Sequence, residues 1–260
     1  MERALWSAAS GMRAQELFID TIANNLANVN TNGYKTSRVN FQDMLYSALT
    51  SPGAVSGETQ IPAGIQIGLG TRVASISKLF AQGSLHSTGA DLDLAIEGDG
   101  FFEIILPDGT SAYTRDGAFK LNSAGEVVTS DGYKVNGFDT IDENTTEITI
   151  APDGSFTTVV DGTPVQKARI TLVRFLNPEG LRCIGRNLYT ATDASGDAQT
   201  GVNPGENGAG TIAQRYLEMS NVRVADELVN MITAQRAYEA SSKAIKASDE
   251  MMGEANTLRR

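Results

Sequence analysis

Cysteine and histidine are almost missing from this chain. Cys183 is the one cysteine in 260 residues. No disulfide can close within the chain, and no thiolate-based zinc site can form. His86 is the one histidine, and no second metal-ligand type accompanies it, so a turn or surface role outweighs a catalytic one. Positive charge is short as well. Lys and Arg number 21 against 31 Asp and Glu, a net charge of −10. A polyanionic partner would be repelled, so nucleic acid is not an expected partner. No apolar run approaches the roughly 18 residues of a membrane helix, so no membrane insertion is expected. The opening Met1-Glu2-Arg3-Ala4-Leu5-Trp6 has no apolar core of a secretory signal. Any export is expected to proceed without a cleaved signal peptide.

What the chain does have is two amphipathic ends. Near the start, Leu5, Met12, Ile19 and Leu26 recur every seven residues, with Ala8, Gln15, Ile22 and Val29 as a second row. That is a heptad pattern. Asn32 and Gly33 then supply residues that accept a left-handed backbone. Near the end, Val224, Leu228, Met231, Tyr238, Ile245 and Met252 share a stripe with Gln235, Ser242 and Asp249 interposed. A second row of small residues runs beside it: Ala234, Ala237, Ser241, Ala244, Ser248, Met251, Ala255 and Leu258. Arg236, Glu239, Lys243, Lys246, Glu250 and Glu254 take the remaining side. The apolar and small face is wider than one partner helix can cover. The expectation is that the two termini pair and that their helices also pack into a many-helix layer.

The middle reads as β. Short β-branched or apolar runs alternate with Asp-Gly pairs at positions 99, 108, 116, 131, 153 and 161. Asp-Gly supplies the positive φ that tight hairpins need. Residues 39–49 suggest a short helix or an irregular packed segment. Residues 46–63 are rich in Ser, Thr, Gly and Pro and read as an extended arm or loop. Residues 195–210 read as a return loop. The fold class expected is α+β. Terminal helices pair in a coiled-coil-like domain (1–45 and 212–260), an arm and connecting strands span 46–90, and a central antiparallel small barrel or sandwich spans 91–211.

Candidate chemistry is thin, and no cofactor or metal is expected. Gly98-Asp99-Gly100 and Gly68-Leu69-Gly70 lack the third glycine and basic residue of a phosphate loop. Asp91 and Asp93 hint at a calcium loop, but Phe102 stands where its bidentate glutamate would be. Asn144-Thr145-Thr146 fits a weak glycosylation sequon. The many carboxylates sit mostly beside turn glycines, which favours turns over a glycosidase pair. A secreted carbohydrate-acting module would leave both heptad ends unexplained.

One run is long and specific: Ala23, Asn24, Asn25, Leu26, Ala27, Asn28, Val29, Asn30, Thr31, Asn32, Gly33, Tyr34, Lys35. It resembles the N-terminal motif of bacterial flagellar rod and hook proteins. The stretch Ser220, Asn221, Val222, then Leu228, Val229, Asn230, Met231, Ile232 and Gln235, Arg236, Ala237, Tyr238 is similar to that family's C-terminal motif. Gly98-Asp99-Gly100-Phe101-Phe102 and Tyr113-Thr114-Arg115-Asp116-Gly117 match its middle. The likeness covers nearly the whole chain. Within the family, the length suits a rod subunit better than the longer hook protein or the shortest proximal members.

The resemblance implies a structural protein without an active site. Such proteins leave through the flagellar type III export apparatus and polymerise with themselves into a hollow shaft across the periplasm. Expected partners are the proximal rod proteins, the hook protein, the P- and L-ring bushing proteins and a rod cap protein. Expected assembly residues are those of the N-terminal seam (Leu5, Ala8, Met12, Ile19, Ile22, Leu26, Val29) and of the C-terminal helix (with Ile245 and Met252). Pro52, Gly53 and Pro62 mark a stiffening arm.

Overall fold

A computed structural model describes residues 2–50, 55–56, 59–60, 64–142, 144–160 and 162–258. The fold is α+β. Two helices, α1 (Glu2–Ala27) and α2 (Val224–Leu258), bracket many short antiparallel strands. Pro52, Gly53 and Pro62 lie outside the described residues. No described helix is long and apolar enough to cross a membrane.

The chain forms two compact units. The first comprises α1, α2 and the segment Ser37–Lys78. Within it α1 and α2 pack together. Strand Ser37–Asp43 pairs antiparallel with Thr71–Lys78, and Tyr46–Thr50 pairs with Ile65–Gly68. Strands stand where a short helix or irregular packed segment was expected over 39–49, and Tyr46–Thr50 begins the stretch expected as an extended arm or loop over 46–63. Phe41, Met44 and Leu45 do fit a helical spacing. Yet Arg38, Asn40 and Gln42 alternate with Val39 and Phe41, a period of two that a neighbouring strand can satisfy. Phe18 of α1 meets Phe41 edge to face, ring centres 5.6 Å apart.

α1 also ends earlier than its heptad pattern suggests, at Ala27. Gly33 does take a left-handed backbone, φ +66°. Its role is close approach as well as turning. A β-carbon there would stand 2.7 Å from the backbone of Arg115 and Asp116.

The second unit contains Asn28–Thr36 and Leu79–Val222. Its main sheet has seven strands in the order Lys120–Leu121, Val127–Val128, Lys134–Val135, Phe102–Ile105, Ser111–Thr114, Leu188–Thr190, Arg182–Gly185. A three-stranded sheet, Thr145–Ile150, Phe156–Val160 and Thr163–Gln166, and several two-stranded pairs complete it. The sheets are open, and no closed barrel forms among the described residues. The strands are mostly two to five residues long, too short to wrap the sheet into the continuous tilted staves that closure requires.

Successive residues of a strand point to opposite faces, and that rule sorts the core. Phe102, Ala112, Leu172 and Leu188 join one buried cluster, with Leu94, Ile104, Phe156 and Ile212. Their chain neighbours Phe101, Tyr113, Val173 and Tyr189 join another, with Phe175 and Leu181. The second cluster is aromatic. Tyr113 and Phe175 meet edge to face at 4.8 Å, and Phe80 packs on Phe101 at 5.5 Å.

The Asp-Gly turns behave as their sequence predicts at Gly109, Gly132, Gly154 and Gly162, where φ lies between +79° and +86°. Gly117 is different. Its backbone is not left-handed, but a β-carbon there would fall 1.6 Å from the carbonyl oxygen of Leu94. There the chains simply touch.

Candidate functional site: the helix seam and a buried charge cluster

In the first unit, the buried residues of α2 are Glu227, Ala234 and Ser248, with Ser241 half-buried between them. They fall on one heptad row. The matching row on α1 carries Gly11, Ala14, Thr21, Ile22 and Asn25, and Gly11 lies close to Ser241. Small residues let two helix backbones approach closely. The intrachain seam is therefore centred on the small row of α2, with Met231, Ile245 and Met252 of the large apolar row half-buried. Val224, Leu228, Val229, Ile232, Tyr238 and Met251 remain exposed.

The anticipated positions fall as follows. Ile22 is buried, while Leu5, Ala8, Met12, Ile19, Leu26 and Val29 are half-buried. On α2, Met231, Ala237, Ile245 and Met252 are half-buried, and Gln235 and Arg236 are exposed with Leu228, Ile232 and Tyr238. Of the N-terminal motif, Ala23, Asn24 and Ala27 are exposed, Asn28 and Asn32 half-buried, and Asn25 buried.

Asn25 works as a polar clamp. Its Nδ2 donates to the carbonyl of Ser37 at 2.9 Å and to Oε1 of Glu227 at 3.2 Å. Its Oδ1 accepts from the Ser37 N–H at 2.9 Å. The amide thus ties α1 to the following strand and to α2. Burial raises the pKa of Glu227, with the Asn25 hydrogen bond opposing and the Asp226 charge adding. Glu227 also stands in the first turn of α2, where the helix dipole favours a carboxylate.

In the second unit, Asn32, Gly33, Tyr34 and Lys35 meet Glu218 and the Ser220, Asn221, Val222 segment. Lys35, Arg115 and Glu218 are 0%, 3% and 1% exposed. Lys35 Nζ donates to Glu218 Oε1 at 2.6 Å and to the Ala81 carbonyl at 2.9 Å. The Gly83 N–H donates to the same Oε1 at 2.8 Å. Arg115 Nη1 stands 3.5 Å from Glu218 Oε2, and its guanidinium carbon lies 5.3 Å over the ring of Phe101. The Gly33 N–H donates to the Glu218 carbonyl at 2.7 Å. Asn221 completes the joint. Its Oδ1 accepts from the N–H and hydroxyl of Thr36 at 2.8 and 2.7 Å, and its Nδ2 donates to the carbonyls of Leu79 and Ala81.

Burial lowers the pKa of Lys35 and of Arg115, and in both the Glu218 charge opposes the shift. Sequence reasoning placed Lys35 in the motif and Arg115 in a matching run, but did not single out Glu218. Its bond with Lys35 spans 183 positions. The available signal was a lysine in a glycine turn, where a solvated surface needs none.

Two cations sharing one carboxylate make an asymmetric cluster. Glu218→Gln leaves two like charges buried, and removing one partner of a buried ion set costs about 3–5 kcal/mol. Lys35→Met leaves the Arg115–Glu218 pair, so its cost should be smaller, about 1–3 kcal/mol. Urea unfolding of the full chain checks the order, and a Lys35→Met cost at or above that of Glu218→Gln would refute it. The Glu227 carboxyl gives a pH prediction of opposite kind. A carboxyl with a raised native pKa binds more protons folded than unfolded, so its contribution to stability falls as pH rises from the ordinary carboxylate range through the native pKa. Glu227→Gln keeps an acceptor for Asn25 and removes the titration. The mutant should lose less stability than wild type between acid and neutral pH, read from amide exchange of α1 and α2. Parallel pH profiles would exclude the assignment.

Family models match three stretches of the chain. Residues 5–35 match "Flagella basal body rod protein", residues 95–158 "Flagellar hook protein FlgE/F/G D1 domain", and residues 213–258 "Flagellar basal body rod FlgEFG protein C-terminal". The flagellar basal-body rod protein FlgG of Borreliella burgdorferi is 49% identical over all of both chains. That of Caulobacter vibrioides is 44% identical over 99% of each, and that of Bacillus subtilis 41% over all of both. The motif carrying Asn25, Gly33 and Lys35 and the segment carrying Glu218 and Asn221 both lie inside matched stretches, and with full-length identity at this level the chain belongs to the flagellar rod and hook protein family.

Proposed function

We propose that the chain is a structural subunit of the flagellar distal rod. It polymerises helically with itself into a hollow drive shaft that transmits torque from motor to hook and passes exported subunits through its channel. The observation that carries the reading is the exposed apolar row of α2: Val224, Leu228, Val229, Ile232 and Tyr238. Trp6 of α1 is 74% exposed as well. Large apolar side chains left exposed along one helix of a folded chain point to an interaction surface. The α1–α2 seam is built from small residues, so this row is left for other copies. A helical polymer needs two unlike surfaces that meet head to tail.

In this reading the two helices form a coiled-coil-like inner tube (1–45 and 212–260). Residues 91–211 form the outer wall, and 46–90 supply the arm and connecting strands. The chain is exported by the flagellar type III apparatus without a cleaved signal and works in the rod spanning the periplasm. There it contacts proximal rod proteins, hook protein, the P- and L-ring bushing proteins where present, and the rod cap protein. Its work is mechanical, and the family is a structural one.

Ile232→Asp tests the surface. Ile232 is half exposed in the single chain, so the monomer's thermal melting should barely change. In an assembled interface a buried unpaired carboxylate costs several kcal/mol, so tubes seen by electron microscopy of concentrated wild-type protein should be lost. Normal tubes from the mutant would remove α2 from the interface.

The arm carries a second consequence. The described part of it exposes Leu45, Tyr46, Leu49 and Ile65 around the pair Tyr46–Thr50 and Ile65–Gly68. Pro52 and Pro62 restrict the chain between, which lowers the entropy cost of laying it along neighbouring subunits. An arm spanning neighbours opposes the sliding that bending requires. Deleting residues 52–62 should yield tubes that assemble but bend more easily, measured as the curvature distribution in micrographs. Unchanged stiffness in well-formed tubes would make the arm a plain surface loop.

A further inference from the structure

In the first unit each terminal helix leaves a second strip uncovered. On α1, Arg3, Trp6, Arg13, Leu17 and Asp20 share one face at a 3,4 spacing, and all are exposed. Ser10 completes that row and accepts from the Thr71 N–H. On α2, Leu228, Ile232, Glu239, Lys246 and Asp249 share a face by the same spacing and are exposed as well. Each strip stands about a third of a turn round from the seam residues of its helix. In the antiparallel hairpin the strips point to different sides, so neither covers the other within one chain. Among the described residues, Arg3, Arg13, Glu239, Lys246 and Asp249 form no ion pair.

The seam defines which positions are level. Gly11 lies beside Ser241, and Asn25 bonds Glu227, fourteen residues further along α1 and fourteen back along α2. On that register Arg3 is level with Asp249, Trp6 with Lys246 and Arg13 with Glu239. Both arginines meet carboxylates, and an ammonium level with an indole makes a cation–π pair. Asp20 comes level with Ile232, one turn from exposed Arg236, and Leu17 lies within a turn of Ile232. Sliding one helix by a heptad sets Arg13 against Lys246 and Asp20 against Glu239. Sliding it the other way sets Arg13 against Ile232 and Arg3 against Ser242. Of the three, the seam's own register alone pairs both arginines with carboxylates.

We propose that the exposed strip of α1 docks, antiparallel and in the seam's register, on the exposed strip of α2 of a second copy. Level-by-level charge complementarity argues for that occupant, and both strips belong to every copy of the chain. Copies set side by side as staves place α1 of one against α2 of the next and keep like ends level. The contact joins unlike surfaces, so each added copy leaves one of each free and addition continues. Like charges brought together in a slipped register are disfavoured, which fixes the axial offset between copies. The inference rests on the polymer reading above and adds to it the partner face, the direction and the register.

Trp6 is the one tryptophan of the chain, so its emission reports on the docked face in the full-length protein. It is 74% exposed in the single chain. As concentrated protein forms tubes, the emission should shift to the blue and quenching by acrylamide should fall several-fold. Arg3→Glu with Arg13→Glu reverses one strip, and Glu239→Arg with Asp249→Arg reverses the other. Each double mutant should melt as wild type does, because these side chains are exposed. Each should raise the concentration needed for tubes about tenfold. In an equimolar mixture every contact between unlike mutants is again opposite in sign, so assembly should return. Tubes in which Trp6 stays exposed would overturn the docking, as would double mutants that assemble at the wild-type concentration or a mixture no better than its impaired components. Rescue confined to a chain carrying all four substitutions would place the pairs within one chain and overturn the second-copy occupant. Wild-type protein that never assembles would overturn the polymer reading itself, and this docking with it.

Discussion

The second unit depends on where the Glu218 carboxylate points. One oxygen holds Lys35 and the Gly83 N–H, and the other faces Arg115. Residues near 35, 83, 115 and 218 are thereby fixed to one point, although they are far apart in the chain. Burying three charges is not a cheap source of stability, because desolvation offsets much of the Coulomb gain. What the cluster supplies is register. A slip of the strand Tyr216–Glu218 against Leu85–Ser87 by one residue would turn the carboxylate away. Two cations would then stand buried without a counter-charge. Apolar residues at these positions would tolerate such a slip far better.

Asn25 plays the corresponding part in the first unit, with a neutral amide and a single carboxyl. An Asn in a helix seam made of small residues must find donors and acceptors or lose their hydration without return. It finds them in Ser37 and Glu227. Helices that meet through Gly11, Ala14, Ala234 and Ser248 have little shape to define axial position. The clamp defines it. Both units thus place a polar contact where apolar packing alone would be ambiguous.

How much of this was legible in sequence depends on the range of the signal. The helices and the Asp-Gly hairpins are local patterns, and they stand close to where periodicity and turn chemistry put them. Residues 39–43 were misread because Phe41, Met44 and Leu45 imitate a helical spacing across a strand end. The strands Thr163–Gln166 and Gln199–Val202 escaped notice because they are polar and exposed. Gly201 even takes φ +71° inside its strand. Of the expected barrel or sandwich, the barrel does not form, because closure is a property of strand length and stagger, neither of which local alternation reveals. The Lys35–Glu218 contact is longer in range still, and no periodicity connects its members.

The division of α2 into two rows carries the remaining argument. Read as a stripe, its large apolar residues look like the core that α1 should cover. The helix turns instead so that the row with Glu227, Ala234, Ser241 and Ser248 meets α1. Close approach of two backbones gains dispersion contacts along their whole length, and small residues permit it. Large side chains would hold the helices apart but can reach across a looser gap. A chain that uses its small row internally and leaves Val224, Leu228, Ile232 and Tyr238 outward has separated two tasks. The inner pair is complete within one chain, and the outer row has no partner among the described residues of that chain. In the proposed polymer, the outer row is then the part of the helix that other copies complete.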